Sequence, residues 1–138
     1  MNQQQILDAL AGLTLFSDLD RPQLQAVAHT MSEESFPAGQ RILRQGFSGG
    51  GFFIILEGEV PVRVDGGDVA TLGKGDFFGE ISLLLGEPPI ADVVASAPVK
   101  ALQLGGPDLR EFLLAYPAVM YRMLQAVSRR LDRANRRG

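Results

Sequence analysis

Residues 77–89 read Phe-Phe-Gly-Glu-Ile-Ser-Leu-Leu-Leu-Gly-Glu-Pro-Pro and are the most informative stretch of this 138-residue chain. The pattern predicts a strand that ends at Phe78, a Gly-Glu turn and one short helical segment. The first N–H groups of a helix lack backbone partners and can bind an anion, and a glycine at position 79 lets a ligand approach the backbone. The Glu80 carboxylate can accept hydrogen bonds from a sugar hydroxyl, but it repels phosphate. The stretch therefore predicts a ligand site that needs a cation nearby.

The surrounding segment, residues 35–104, has the pattern of many short strands. It holds 12 of the 16 glycines, which separate short apolar runs at 41–44, 52–56, 60–64, 69–72, 76–78, 91–95 and 99–104. Val60, Val62 and Val64 alternate with other residues, as in a strand with one buried face. Residues 65–68 read Asp-Gly-Gly-Asp, a composition typical of a hairpin turn. Short strands joined by glycine-rich turns indicate a sandwich or a small barrel.

Helices are predicted on both sides of this segment, at residues 1–34 and 105–138. In the first region Asp20 is an N-cap candidate, and Gln23 three residues later completes an approximate capping box. In the last region Pro117 suits the first turn of a long helix.

Composition restricts the class of protein. A chain of this length is expected to form one domain, residues 1–138, with a sizeable core. Without cysteine there is no disulfide or thiolate zinc site, and a single histidine excludes a multi-histidine metal centre. The net charge of −3 gives no overall basic field to attract nucleic acid. Because the sequence has neither a membrane-length apolar run nor a secretory signal, we expect a cytoplasmic domain without membrane contact.

Together these segments resemble the cyclic nucleotide-binding domains of catabolite activator regulators, kinase regulatory subunits and nucleotide-gated channels. Residues 78–84 are similar to the phosphate-binding cassette of that family. Residues 45–46 and 52–60 are similar to its early strands, 13–19 to its helical lead-in, and 117–137 to its final helix. The resemblance implies a mainly β fold with flanking helices: an antiparallel, jelly-roll-like β-roll with N-terminal helices and a long C-terminal helix.

The resemblance also implies roles for the cassette residues. In the family, the cassette glycine and the residues after the glutamate donate N–H groups to the cyclic phosphate, and the glutamate holds the ribose 2′-hydroxyl. A contact to the base from the final helix falls near Asn135. The candidate ligand is cAMP or cGMP, and the candidate ligand-binding residues are Phe78, Gly79, Glu80, Ile81, Ser82, Pro89, Ile90 and Ala91.

The end of the cassette departs from the family pattern. The family reads Pro-Arg-Ser/Ala-Ala-Thr-Val, whereas residues 88–93 read Pro-Pro-Ile-Ala-Asp-Val. Pro89 replaces the phosphate-binding arginine, Ile90 replaces a small residue and Asp92 replaces a threonine. A charge-assisted hydrogen bond contributes about 1.5–3 kcal/mol, and a loss of about 3 kcal/mol weakens binding by about two orders of magnitude. We therefore expect weak or absent binding of cAMP and cGMP.

Three hypotheses about what the pocket binds stay open. In the first, cyclic nucleotides bind with help from Arg41, Arg44 or Arg63, although strand alternation turns Arg63 to the polar face. In the second, the pocket holds another ligand that is less anionic and more apolar near Ile90. In the third, the pocket is empty and its residues serve only the β-roll.

An enzyme is not expected. His29 lies on a predicted N-terminal helix, so Ser48, Ser82 and Ser96 have no histidine to activate them within the β segment. Regulators of this family carry a helix-turn-helix after the long helix, and the sequence stops at residue 138. We therefore expect no direct binding of nucleic acid, with the sensor domain of a truncated transcription regulator as an alternative.

The final helix suggests an interaction module as a further alternative. Its apolar stripe consists of Val119, Met123, Val127 and Leu131. The stripe predicts either a homodimer through residues 118–134, as family members commonly form, or packing on the chain's own β-roll.

The last residues are strongly basic. Residues 129–137 hold five arginines and one aspartate. Such a run is predicted to be a solvated helix face, with docking of an acidic partner or continuation into a further domain as alternatives.

Overall fold

The computed structural model describes residues 1–47 and 50–137, which form helices at both ends of a pair of antiparallel sheets. Ser48 and two of the glycines, Gly49 and Gly138, lie outside the described residues. The helices are α1 (Gln3–Ala11), α2 (Arg21–Thr30), α3 (Glu80–Leu85), α4 (Leu109–Ala115) and α5 (Pro117–Arg137), with 3₁₀ turns at Thr14–Phe16 and Gly106–Asp108. The strands are β1 (Ser32–Phe36), β2 (Arg41–Leu43), β3 (Gly51–Glu57), β4 (Val60–Val64), β5 (Gly67–Leu72), β6 (Phe77–Phe78), β7 (Asp92–Val94) and β8 (Val99–Gly105).

The strands form two four-stranded sheets, with the orders β1-β8-β3-β6 and β2-β7-β4-β5. Every pairing within them is antiparallel. The predicted β-roll with flanking helices is therefore confirmed, and the short strands fall close to the predicted apolar runs.

Local signals in the sequence account for several element boundaries. Asp65 and Gly66 both have positive φ, 51° and 83°, as a two-residue turn of type I′ between β4 and β5 requires. The Asp20 side chain accepts the N–H of Gln23 at 2.9 Å, and the Gln23 side chain accepts the N–H of Asp20 at 2.9 Å. The predicted capping box at the start of α2 is thus confirmed.

One predicted boundary is wrong. The helical region was predicted to extend to residue 34, but α2 ends at Thr30 and β1 begins at Ser32. The sequence of β1 is Ser-Glu-Glu-Ser-Phe, which is too polar to give an apolar strand signal. Among the described strands it pairs only with β8, and β1 is thus an edge strand that exposes much of its length.

The described core divides between the two faces of β3. Phe52, Ile54 and Leu56 pack with the N-terminal helices, α4 and the start of α5. Phe53 and Ile55, on the opposite face, pack between the two sheets. Because β3 is buried on both faces, its sequence is continuously apolar.

The final helix packs on the domain through its first half. Val119 and Met123 are buried in the first cluster, with exposed fractions of 0% and 3%, and Val127 packs against it. Leu131 is 62% exposed. Packing of the stripe on the chain's own β-roll is therefore confirmed for its first three members. None of the described helices combines the length and apolar character that a membrane span requires.

Candidate ligand-binding site

The candidate cassette begins where β6 joins β3. Phe78 pairs with Phe53 in the sheet, and their rings are stacked with centroids 5.0 Å apart. Phe78 is 4% exposed, so it holds the start of the cassette against the inter-sheet core.

Gly79 makes the turn from β6 into α3. Its φ is +95°, a left-handed conformation that side chains disfavour, and a Cβ atom here would lie 1.9 Å from the carbonyl oxygen of Gly51. The sequence predicted that this glycine lets a ligand approach the backbone. The structure shows a second reason for glycine, the close approach of the β3 backbone, and the approach of a ligand stays a prediction.

Glu80 is the first residue of α3, and its carboxylate is buried. The residue is 4% exposed, and Oε1 accepts a hydrogen bond from Nη1 of Arg130 at 3.3 Å. Oε2 has no hydrogen-bond partner within residues 1–47 and 50–137. Burial raises the pKa of Glu80, while its backbone N–H and the Arg130 charge act in the opposite direction. A buried acceptor without a partner is costly, so a ligand that donates to Oε2 gains from it.

Arg130 comes from α5 and was not among the predicted site residues. Its Nη2 donates to the carbonyl oxygen of Phe77 at 2.7 Å, and its guanidinium carbon lies 4.4 Å from the centre of the Phe77 ring. The basic run 129–137 was predicted to be a solvated face, and for Arg130 that prediction is wrong. The available signal was its helical spacing from buried Met123, because residues seven apart share a face.

The remaining residues of α3 differ in their exposure. Ile81 is 41% exposed, whereas Ser82 is 9% exposed and donates through Oγ to the carbonyl oxygen of Gly79 at 3.4 Å. The Ser82 carbonyl accepts the N–H groups of Gly86 and Glu87, which closes the helix after six residues. Of the two predicted amide donors that follow Glu80, Ser82 is therefore in the buried part of the cassette and Ile81 has its side chain toward solvent.

The second half of the cassette, residues 89–91, lies in the loop between α3 and β7. Pro89 is buried, and its carbonyl accepts the N–H of Gly46 at 2.8 Å. Ala91 is 8% exposed, but Ile90 is 50% exposed. The departure at position 89 thus places an apolar ring inside the domain, and the one at position 90 places an apolar side chain half in solvent.

Asp92 has a structural role that the sequence did not suggest. Its Oδ1 accepts the backbone N–H of Gln45 at 2.7 Å. Gln45 in turn exchanges two hydrogen bonds with Asp65, at 2.8 and 2.9 Å. The carboxylate at position 92 therefore ties the segment after β2 to β7.

The three arginines that were considered as replacements for the family's cassette arginine either contact other side chains or are exposed to solvent. Arg63 is exposed and forms an ion pair with Asp68 at 2.6 Å, so its predicted outward direction is confirmed. Arg44 lies over the ring of Phe47 at 5.0 Å, and Arg41 is exposed on β2. Asn135, the residue suggested for a base contact, is exposed near the end of α5.

Comparison with known proteins identifies the family. The profile of the cyclic nucleotide-binding domain matches residues 33–116, more than half of the chain. The chain belongs to the cyclic nucleotide-binding domain family. The matched range includes most of the β-roll and the cassette, so the predicted resemblance is confirmed. The matched domain is a ligand-binding domain and not a catalytic one, as predicted.

A curated relative is a much longer protein. The cGMP-dependent protein kinase egl-4 of Caenorhabditis briggsae is 35% identical over 100 residues, which cover 68% of this chain and 13% of the kinase. This cyclic nucleotide-binding domain therefore matches only a small part of that kinase.

Solved structures of trypanosome proteins are similar over most of the chain. The regulatory subunit of a cAMP-independent protein kinase A from Trypanosoma brucei is 30% identical, with a TM-score of 0.79 over 92% of this chain and 46% of that one. A variant of it with three substitutions, one of them threonine to arginine, is bound to cAMP and has a TM-score of 0.76 at 31% identity over 90% and 46% of the two chains. The Trypanosoma cruzi counterpart, bound to guanosine, is 28% identical with a TM-score of 0.72 over 85% and 42%. The chain spans about half the length of these subunits.

Proposed function

We propose that this domain is a regulatory sensor whose pocket binds a nucleoside-like ligand and holds cAMP or cGMP weakly or not at all. The proposal rests on one observation. The cassette keeps a buried carboxylate whose Oε2, in Glu80, accepts no hydrogen bond from any described residue, while position 89 carries proline instead of a cation.

The acceptor favours a ligand with hydroxyl groups. A hydroxyl that donates to Oε2 satisfies a buried atom that otherwise carries the cost of lost hydration, and a hydrogen bond to a charged group contributes about 1.5–3 kcal/mol. The ribose of a nucleoside offers such a hydroxyl. This is the role that the family resemblance implies for Glu80.

The charges of the cassette disfavour a phosphate. Residues 76–92 contain Asp76, Glu80, Glu87 and Asp92 and no Lys or Arg. Arg130 reaches the cassette from α5, but its guanidinium already contacts Glu80 and the Phe77 carbonyl. A cyclic phosphate in this pocket would therefore lack an uncommitted cation, whereas a neutral nucleoside does not need one.

The trypanosome relatives support this choice of ligand. One is a regulatory subunit of a cAMP-independent kinase, and its counterpart is bound to guanosine. The form bound to cAMP carries a new arginine among its three substitutions. We infer that this chain, which has Pro89 in place of the cassette arginine, is of the same nucleoside-binding type.

The output of binding is a change at the final helix. A ligand that donates to Oε2 favours the ionised form of Glu80, which strengthens its ion pair with Arg130. Occupancy of the pocket thereby favours the position of α5 in which Arg130 contacts the cassette.

Calorimetric titration tests the proposal. We expect guanosine or adenosine to bind at least about tenfold more tightly than cGMP or cAMP, and the 2′-deoxynucleoside to lose about tenfold. Glu80→Gln should weaken nucleoside binding, and Glu87→Gln, an exposed carboxylate of the same segment, is the matched control. Micromolar or tighter binding of cAMP or cGMP contradicts the proposal, and absence of binding by all four ligands favours an empty pocket instead.

A homodimer through α5 is the second candidate function. Val119 and Met123 are buried in their own domain and are therefore unavailable for pairing. A dimer must consequently use a different side of α5 from the predicted stripe. The side that remains carries Met120, Leu124 and Leu131, whose spacing of four and seven residues fits a coiled-coil seam. Met120, Leu124 and Leu131 are 39%, 58% and 62% exposed. This exposed seam supports pairing of two copies.

The cytoplasmic location of the domain stays a prediction.

A further inference from the structure

A groove outside the cassette is lined mainly by cations. It has a volume of about 460 Å³ and lies between the first 3₁₀ turn, the loop before β6 and residues 122–133 of α5. Its charged lining consists of Lys74, Asp76, Arg122, Arg129, Arg130 and Arg133. Five cations thus face one carboxylate in a groove large enough for a bound ligand or a short peptide segment.

Two of the five cations are neutralised within the domain. Arg122 donates to both carboxylate oxygens of Asp18, at 2.8 and 3.0 Å. Arg130 is paired with Glu80, as described above. The one carboxylate of the lining, Asp76, accepts the N–H of Gly73 at 2.9 Å.

The other three cations lack such compensation. Lys74, Arg129 and Arg133 form no ion pair with any residue in the part of the chain that the structure describes. Arg129 and Arg133 lie one helical turn apart, a spacing at which like charges repel each other, and all three are exposed. An anionic partner in the groove relieves this repulsion.

The chemistry of the lining favours a chain of carboxylates over a compact phosphate. The backbone N–H groups of Gly12, Leu13, Gly75 and Asp76 are bonded to carbonyl groups of the domain. These four N–H groups are therefore not available for a cradle of amides of the kind that tight phosphate sites use. Three long, exposed cations, one on the loop before β6 and two on α5, suit carboxylates that are spaced along a peptide. Leu13, Phe77 and Ala126 give the groove an apolar part.

We propose that this groove docks an acidic segment of a partner protein. The recognised feature is a row of Asp or Glu side chains that contact Lys74, Arg129 and Arg133. The site is separate from the free acceptor oxygen of Glu80, so the proposal does not depend on the identity of the pocket ligand.

Fluorescence anisotropy with a labelled peptide of alternating Glu and Ala residues tests the proposal. The control peptide has Gln in place of Glu. We expect the Glu peptide to bind with an affinity that falls as salt is added, and the Gln peptide to bind at least about tenfold more weakly. The double variant Arg129→Glu/Arg133→Glu should lose about tenfold or more in affinity, and Lys74→Glu about fivefold.

A matched double variant separates docking from a general charge effect. Arg41→Glu/Arg110→Glu changes the net charge equally at exposed positions outside the groove, and it should retain the affinity of the wild type within about twofold. Thermal unfolding shows whether each variant folds. If Arg129→Glu/Arg133→Glu does not fold, the proposal is tested instead with the peptide affinities of Arg129→Gln/Arg133→Gln and Lys74→Glu.

Four outcomes overturn the proposal. The first is an equal loss of Glu-peptide affinity in the groove double variant and in the control double variant, and the second is equal affinity for the Gln and Glu peptides. The third is the absence of any binding of the Glu peptide. The fourth is binding of inorganic pyrophosphate that depends on the groove cations and is tighter than that of the Glu peptide. The last would assign the groove to compact phosphates.

Discussion

Arg130 on the final helix donates through Nη1 to Oε1 of Glu80, fifty residues earlier in the chain, at 3.3 Å. The same guanidinium donates to the carbonyl of Phe77 and lies over its ring. One side chain therefore joins α5 to both sides of the turn at Gly79. Because Glu80 is 4% exposed, Arg130 also supplies the charge that makes its burial tolerable.

Arg130→Ala should destabilise the domain, because it leaves Glu80 buried without its counter-ion. Breaking a buried pair costs about 3–5 kcal/mol, and since the Arg130 side chain is 28% exposed we expect a smaller loss of about 2 kcal/mol. Urea denaturation measures the loss. Arg136→Ala removes an exposed pair with Asp132 on the same helix and should cost less than about 0.5 kcal/mol. Equal losses in the two variants would contradict a special role for Arg130.

The stability of the domain should depend on pH through Glu80. Burial raises its pKa in the folded state above the ordinary value of 4.5, so the folded state binds the proton more tightly. The resulting stabilisation is complete below pH 4.5 and is lost as the pH rises through the raised pKa. Relative to Glu80→Gln, the wild type should therefore lose unfolding free energy with rising pH in this range. Urea denaturation across the range measures the difference, and a constant or rising difference contradicts the assignment.

The β-roll was predictable because its signals are local. Glycine-rich turns, the capping box at Asp20 and the two positive-φ residues at 65–66 each depend on neighbours within a few positions. The edge strand β1 was missed because its five residues, mostly polar, pair with β8 about seventy positions away. Its strand conformation is a consequence of that distant partner and not of its own composition.

The cassette was predictable as a segment, but its contacts were not. Residues 78–82 form the predicted strand end, turn and short helix, whereas residues 89–91 lie in the loop before β7, and Gly79 has the strained geometry that requires glycine. The partners of Glu80 and Asp92 are Arg130 and the backbone of Gln45, fifty and forty-seven residues away. Such contacts depend on how α5 and β2 pack on the roll, which one sequence does not specify.

Gly79→Ala should destabilise the domain strongly. The residue has positive φ, and the new Cβ atom would overlap the carbonyl oxygen of Gly51. Left-handed strain and overpacking together are expected to cost about 3 kcal/mol or more. Gly86→Ala is the matched control, because Gly86 also has positive φ but a Cβ atom there would meet nothing within 4 Å. It should cost about 1 kcal/mol, and thermal unfolding that ranks the two variants equally contradicts the close approach of β3.

The exposed seam of α5 predicts a dimer that weakens when charge is introduced. Burial of one leucine contributes about 2 kcal/mol, so Leu124→Glu or Leu131→Glu should raise the dimer dissociation constant by about 30-fold or more. Leu84→Glu, at a 53% exposed apolar residue of α3, is the control. Sedimentation equilibrium measures the constants. A wild type that stays monomeric at high micromolar concentration contradicts the dimer.

Pro89→Arg should give the pocket the cation that its cassette lacks. A guanidinium that forms one or two charge-assisted hydrogen bonds to the phosphate should increase cAMP affinity by about tenfold to a hundredfold. Guanosine has no phosphate, so its affinity should not rise. Because Pro89 is buried and Ile90 is 50% exposed, Ile90→Arg adds the same charge on the solvent side and is the matched control. Calorimetric titration compares the variants. Equal gains at the two positions would indicate a general charge effect, and no gain in Pro89→Arg would mean that residues other than Pro89 close the pocket to cyclic nucleotides.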